Sequence, residues 1–226
     1  MRYFLVAGEA SGDLHASALI RALRAEDPEA SFAFMGGDKM EAAAGVAPIV
    51  HYREVAFMGI VSVVKNLGKL TRIGRQIQAA MRDFAPDVVI PVDYADFNFR
   101  FILPYAKKEL RCPVIYYILP KLWAWRAGRI RQLRRYVDLG LSILPFETSY
   151  FSDRGLRTEY IGNPCVDAKL TYLAEHPEPV EREQMLLLVP GSRQSELRDN
   201  LPEMLAATAA YSQLGWRVVI AGAPGL

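Results

Sequence analysis

Short apolar runs alternate with longer stretches whose apolar residues recur at helical spacing. Tyr3–Ala7, Ser31–Met35, Asp87–Pro91, Val114–Ile118, Leu139–Ile143 and Thr158–Ile161 read as strands, with a weaker one over Val46–Val50. Between them, Ser11–Ala25, a long stretch from about Gly59 to Phe84, Phe97–Leu110, Leu122–Tyr136 and Phe146–Arg154 read as helices. Pro28 follows the first helix and Pro86 stops the long one. Val88-Val89-Ile90 and Val114-Ile115-Tyr116-Tyr117-Ile118 are apolar without alternation. That pattern suits strands of a parallel sheet covered on both faces. Strand and helix in strict succession predict a doubly wound α/β fold.

The rhythm breaks at Leu173–Gln184, an acidic, proline-containing stretch that reads as a linker. A strand over Met185–Val189, a helix from about Glu196 to Leu214 and a strand over Trp216–Ala221 follow. The expected organisation is therefore a domain at 1–172, a linker at 173–184 and a second α/β unit from 185 to 226. One βαβ unit cannot cover both faces of its strands, so the second domain is expected to be incomplete as supplied.

Hydrophobic residues make up 51% and charged residues 23% of the 226, the balance of a folded globular chain. A net charge of +2 leaves any attraction to anionic partners to local clusters and gives no bulk basicity for nucleic acid. Cys112 and Cys165 form no paired or metal-type motif and read as small core residues. His15, His51 and His176 lack ligand spacing, so neither a metal nor another cofactor is expected. Met1–Val6 is too short for a secretory apolar region, and no segment reaches the ~18–20 apolar residues of a spanning helix. A cytoplasmic protein with at most peripheral membrane contact is expected.

In open α/β sheets ligands bind beyond the carboxyl ends of the strands, so the loops there carry the candidate chemistry. Gly8-Glu9-Ala10-Ser11-Gly12-Asp13 is a glycine-bearing turn into a helix. Its helix start favours an anion, although Glu9 and Asp13 would repel a close diphosphate; Ser11 or Asp13 could equally cap the helix. It lacks the G-x-G-x-x-G dinucleotide fingerprint. Asp93 follows an apolar strand directly and is placed either to take a proton from a hydroxyl or, like Asp96, to cap the helix at Phe97. Lys121 and Arg126 could meet a substrate phosphate, while Arg129, Arg131, Arg134 and Arg135 read as a solvated basic face. Gly191, Ser192 and Arg193 form a tight turn into a helix, either a cap or a diphosphate site in which Arg193 supplies the cation. In the long helical stretch, Lys65, Lys69 and Arg72 make a basic stripe beside an apolar surplus that includes Ile60, Val61, Val64 and Leu67. Such a helix either lies on an anionic membrane surface or packs its wide apolar face inside the protein.

Several of these motifs recur in one order: Val6-Ala7-Gly8-Glu9-Ala10-Ser11-Gly12-Asp13, Phe57-Met58-Gly59, Asp93 through Asn98, Trp123-Ala124-Trp125-Arg126, Leu144-Pro145-Phe146-Glu147, Ile161-Gly162-Asn163-Pro164 and Pro190-Gly191-Ser192-Arg193. In that order the chain resembles the lipid-A-disaccharide synthases. The resemblance implies a GT-B type fold of two Rossmann-like halves, the second cut short here, so that these residues alone should be inactive. It implies an inverting transfer from UDP-2,3-diacylglucosamine to 2,3-diacylglucosamine 1-phosphate, giving a tetraacyl disaccharide 1-phosphate and UDP. It makes Asp93 the base and Arg193 a donor-side cation, with Gly8, Glu9, Ser11, Gly12, Asp13, Asn163, Gly191 and Ser192 at the substrates and Asn98 supporting the Asp93 loop. The apolar basic helix is then a contact to the anionic inner membrane. Two positions depart from the family pattern: Leu119 stands where a serine is usual, and Ala95 where a proline is common. Another UDP-sugar transferase or epimerase, or a non-catalytic phosphate- or lipid-binding module, is the alternative.

Overall fold

The computed structural model describes residues 1–56, 67–177, 183–192 and 194–222. They form two compact units, Met1–Tyr172 and Leu173–Leu226. In chain order the elements of the first are β1 (Arg2–Ala7), α1 (Ala10–Glu26), β2 (Ser31–Gly36), α2 (Asp38–Ala44), β3 (Val50–His51), α3 (Arg53–Ala56), α4 (Leu67–Phe84), β4 (Val88–Val92), α5 (Ala95–Phe97), a π-helical turn (Asn98–Ile102), α6 (Leu103–Lys108), β5 (Ile115–Tyr117), a 3-10 turn (Ala127–Arg129), α7 (Ile130–Tyr136), β6 (Leu139–Ser142), α8 (Pro145–Ser152), β7 (Thr158–Tyr160) and α9 (Pro164–Glu175).

All seven strands pair in parallel, in the order β3-β2-β1-β4-β5-β6-β7. Successive side chains of a strand point to opposite faces, and β1 divides accordingly. Phe4 and Val6 join a core with Ile73, Ile77 and Met81 of α4, Phe97, Leu133 and Phe151. Tyr3, Leu5 and Ala7 join the other, with Ile20 of α1 and Met40 of α2. From β1 the chain winds one way to β3 and then crosses back to β4 on β1's other side. The carboxyl ends of β1 and β4 are therefore the topological switch point, where this fold class opens a crevice.

Pro91 lies within β4, paired to Val6 on the β1 side. On the β5 side Val89 donates to the Pro113 carbonyl and Asp93 to that of Tyr117. Pro91, midway between them, has no proton to give. The β4–β5 pairing is correspondingly thin, reduced to the Val92–Tyr117 partnership and an isolated bridge from Val89 to Val114.

The structure departs from the sequence reading in several places. The strand expected over Val46–Val50 begins only at Val50, because Gly45, in a left-handed conformation at φ 69°, ends α2 just before it and Pro48 intervenes. The helix α2 itself was not legible. Phe97–Leu110 is not one regular helix but passes through the π-helical turn, next to Pro104, which cannot donate back to the preceding turn. Leu122–Tyr136 is α-helical only from Ile130, after the 3-10 turn, since Arg126 adopts a left-handed φ of 54°. α9 runs on to Glu175, through the start of the acidic stretch expected to be linker. It buries none of its residues, so Cys165 is exposed and not a core residue, whereas Cys112 is buried.

The second unit contains β8 (Met185–Leu188), α10 (Gln194–Gln213) and β9 (Arg217–Ile220), with β8 and β9 parallel. Leu187, Val189 and Ile220 are exposed there.

Candidate active site

Two loops meet at the switch point. At the end of β4, Asp93 and Tyr94 both hold left-handed conformations, φ 46° and 45°. Such backbone is uncommon for residues other than glycine and costs on the order of 1–3 kcal/mol each. The main chain of Asp93 is secured on both sides. Its N–H donates to the Tyr117 carbonyl at 3.1 Å. Its carbonyl accepts the Tyr116 hydroxyl at 2.6 Å and Asn98 Nδ2 at 2.7 Å. The consequence is a half-buried Asp93 at the sheet's carboxyl edge, two residues ahead of α5.

Across from it, the end of β1 is shaped to receive Tyr94. A Cβ on Gly8 would lie 2.0 Å from Tyr94 Cδ1, so only a glycine leaves room for the ring. Burial, with Glu9 and Asp96 nearby, raises the Tyr94 hydroxyl to about 12, so it stays a neutral phenol at physiological pH. Gly12 likewise keeps α1 close to β1: a Cβ there would meet the Ala7 Cβ at 3.2 Å. Ser11 donates to Glu9 Oε1 at 3.2 Å. Gly8→Ala is expected to displace Tyr94 and, through it, the Asp93 loop. The expected result is a thermal midpoint lower by several °C, since a methyl forced onto a closely packed ring costs about 1–3 kcal/mol. An unmoved midpoint in that variant would show that Tyr94 is not held against Gly8.

Asp13 is directed elsewhere. Its carboxylate is buried and accepts the N–H groups of Gly37 (2.7 Å), Lys39 (3.1 Å) and Met40 (3.1 Å). From one turn inside α1 it caps α2 and holds the β2–α2 turn.

The β5 and β6 loops contribute a second cluster on the same edge of the sheet. Glu147, in the first turn of α8, is fully buried. Its Oε1 accepts Lys121 Nζ and Trp123 Nε1, each at 3.0 Å, and its Oε2 accepts the Leu144 N–H at 3.3 Å. A carboxylate buried this deeply is tolerable because a cation and two N–H donors compensate it. Trp123 packs edge-on against Phe146, and both rings remain partly exposed. Asp96 binds Arg126 at 2.6 Å and also Arg129, tying the β4 loop to the β5 loop.

The other sequence-derived positions are more scattered. Asn163 caps α9, its Oδ1 accepting the Cys165 N–H at 3.0 Å. In the second unit Gly191 takes φ 122°, and a Cβ there would fall 2.5 Å from Glu196 Oε2. That same carboxylate oxygen accepts the Ser192 N–H at 2.9 Å. Arg193 lies outside the described residues, as do Ile60, Val61, Val64 and Lys65. Of the membrane-facing set, Leu67 and Lys69 are described, and both are exposed at the start of α4, with Arg72 exposed one turn on. Among the described residues no helix is long and apolar enough to cross a membrane.

A sequence profile of the family described as lipid-A-disaccharide synthetase matches residues 3–216. The chain belongs to that family. A lipid-A-disaccharide synthase of Myxococcus xanthus is 40% identical over 230 residues, covering 99% of this chain and 59% of its own length. That of Acidobacterium capsulatum is 38% identical over 219 residues, covering 94% of this chain and 53% of its own. The chain thus spans between half and three fifths of the length of these relatives. Among solved structures, a UDP-GlcNAc 2-epimerase from Neisseria meningitidis bound to UDP-GlcNAc superposes with a TM-score of 0.68 at 14% identity, over all of this chain and 67% of that one. One from Methanocaldococcus jannaschii in complex with UDP-GlcNAc and UDP gives 0.67, also at 14%, over 99% and 66%. At that identity the likeness speaks for the fold, which is the GT-B type expected, with about a third of those chains beyond its reach.

For this member of the lipid-A-disaccharide synthetase family, sequence reasoning missed two buried groups at the site. Tyr116 sat in an apolar run and read only as strand core. Glu147 belonged to a recognised motif but carried no assigned role. A glutamate in the first turn after a proline was the available signal, since that is the place of a capping carboxylate.

Proposed function

We propose that the full-length protein joins two acylated glucosamine units, transferring the sugar of UDP-2,3-diacylglucosamine to the 6-hydroxyl of 2,3-diacylglucosamine 1-phosphate. In this reading the acceptor oxygen attacks the anomeric carbon from the face opposite UDP. A new carbon–oxygen bond forms as the bond to the diphosphate breaks, and the configuration inverts. The hydroxyl proton passes to the Asp93 carboxylate, and the electron pair leaves with UDP. The observation that carries the reading is the strained, doubly anchored Asp93 at the β1–β4 switch point, in a member of this family. Gly8 borders the Asp93 loop through Tyr94, and Arg193, in a sequence that suits a diphosphate-binding turn, is assigned to the departing diphosphate on the strength of the family resemblance.

The fold likeness to epimerases makes a UDP-sugar epimerase the competing activity. Incubating the full-length protein with both acylated substrates, and separately with UDP-GlcNAc, decides between them. The expected products are a β-linked disaccharide 1-phosphate and one equivalent of UDP. Epimerised UDP-GlcNAc without disaccharide would reject the proposal, and absence of both would leave only a binding module.

Acyl chains reach a cytoplasmic enzyme from a membrane, and peripheral attachment to an anionic inner-membrane surface is part of the proposal. Its support is the exposed Leu67 beside Lys69 and Arg72. Serine at Val61, Val64 and Leu67 together is expected to move the protein from sedimented anionic vesicles to the supernatant at an unchanged thermal midpoint. Undiminished sedimentation would contradict it.

A further inference from the structure

We propose that Tyr116 is a positioning residue, holding Asp93 in its left-handed conformation through the Asp93 main-chain carbonyl. The inference rests on Asp93 being the base. It adds a residue from a different strand and a mechanism by which that residue acts.

Two consecutive residues with side chains at φ 46° and 45° do not persist unless their surroundings over-determine them. The carbonyl of Asp93 accepts two donors, the Tyr116 hydroxyl at 2.6 Å and Asn98 Nδ2 at 2.7 Å. Both donor residues are wholly buried. Relaxation of Asp93 toward extended or right-handed backbone would swing its carbonyl away and strand two buried donors, which the interior penalises. The donors therefore act as a latch on the peptide that follows Asp93, and the Tyr117 carbonyl latches the peptide before it.

The second observation is a polar group sacrificed to this arrangement. Asn98 Oδ1 is buried with no hydrogen-bond partner among the described residues. Turning the amide over would not help, because it would set that oxygen against the Asp93 carbonyl. Buried polar atoms are rarely left unpaired. Here the unpaired end is the consequence of committing the other end to Asp93.

Tyr116 suits the task chemically. Burial pushes its hydroxyl far above the ordinary tyrosine range, against the opposing effect of Asn98 and Arg129 and with the support of Asp93 and Asp96. The phenol thus keeps its proton and remains a donor wherever the protein is folded. Its ring, part of the same core as Phe97, Leu119 and Phe151, fixes where the hydroxyl sits.

Tyr116→Phe in the full-length protein removes the hydroxyl and keeps the ring. Expected is a fall in kcat of about tenfold or more, with KM for either substrate within about twofold and a near-native thermal midpoint. A residue acting through Asp93 should also lose its effect when Asp93 cannot act: Tyr116→Phe placed on Asp93→Asn is expected to change the residual kcat by less than twofold. Wild-type kcat in the single variant, or the same tenfold loss on the Asp93→Asn background, would overturn the proposal while leaving Asp93 as the base. Wild-type kcat in Asp93→Asn alone would instead overturn the base reading, and the positioning role with it. Should Tyr116→Phe not fold, Asn98→Ser removes the other donor and serves in the same comparison.

Discussion

Asp93→Asn in the full-length protein is expected to lower kcat by roughly 10²–10⁴-fold, the range that general-base assistance contributes. KM for both substrates should change little. The amide is nearly isosteric with the carboxylate, and the loop is held by main-chain contacts that the substitution leaves alone: the Asp93 N–H to Tyr117, and the Asp93 carbonyl to Tyr116 and Asn98. A thermal midpoint close to wild type would confirm that the loss is chemical. Asp93→Ala is the less informative variant, because it also removes the side chain's packing in a half-buried position. If Asp93→Asn raised KM strongly at unchanged kcat, Asp93 would be a binding group rather than a base.

The second large effect concerns stability. Asp13→Ala is expected to destabilise the protein by about 3–5 kcal/mol: hydrogen bonds to a charged group contribute about 1.5–3 kcal/mol each, and three that share one carboxylate do not add in full. At roughly 2–4 °C per kcal/mol for a domain of this size, the thermal midpoint should fall by on the order of 10 °C. Asp13→Asn, which keeps one acceptor, should fall by less. The family resemblance had set Asp13 among substrate-binding residues. A variant with a raised KM and an unmoved midpoint would support that role, whereas a lowered midpoint with near-normal KM in the surviving fold supports the cap of α2.

What the sequence made legible follows from how far each signal reaches along the chain. The parallel sheet was visible because Val88-Val89-Ile90 and Val114–Ile118 are apolar on both faces, a purely local pattern. Asp93 stood out as a candidate, base or helix cap, because it directly follows such a strand. Its left-handed backbone was not visible, since nothing local demands it: the conformation is imposed by Tyr116 from β5 and by Asn98 from the π-helical turn. The hydrogen bonds of Asp13 were hidden for the same reason. A carboxylate at a helix start reads as a cap of its own helix or an anion-repelling group, while the N–H groups it accepts lie 24 to 27 residues away, at Gly37 and in the first turn of α2. α2 itself was lost because Asp38–Ala44 is short and its N-terminus is capped from another element. Glu147 shows the limit from the other side: the motif was recognised, yet only folding brings Lys121 and Trp123, 26 and 24 residues away, onto its buried carboxylate.

Proton transfer to Asp93 is tested most directly by the pH dependence of kcat/KM in the wild-type full-length protein, set beside that of Asp93→Asn. The wild-type rate is expected to fall with unit slope on the acid side, as one carboxylate takes up its proton, and this limb to be missing from the variant's much lower profile. An acid limb surviving unchanged in Asp93→Asn would assign the ionisation to another group and contradict the account.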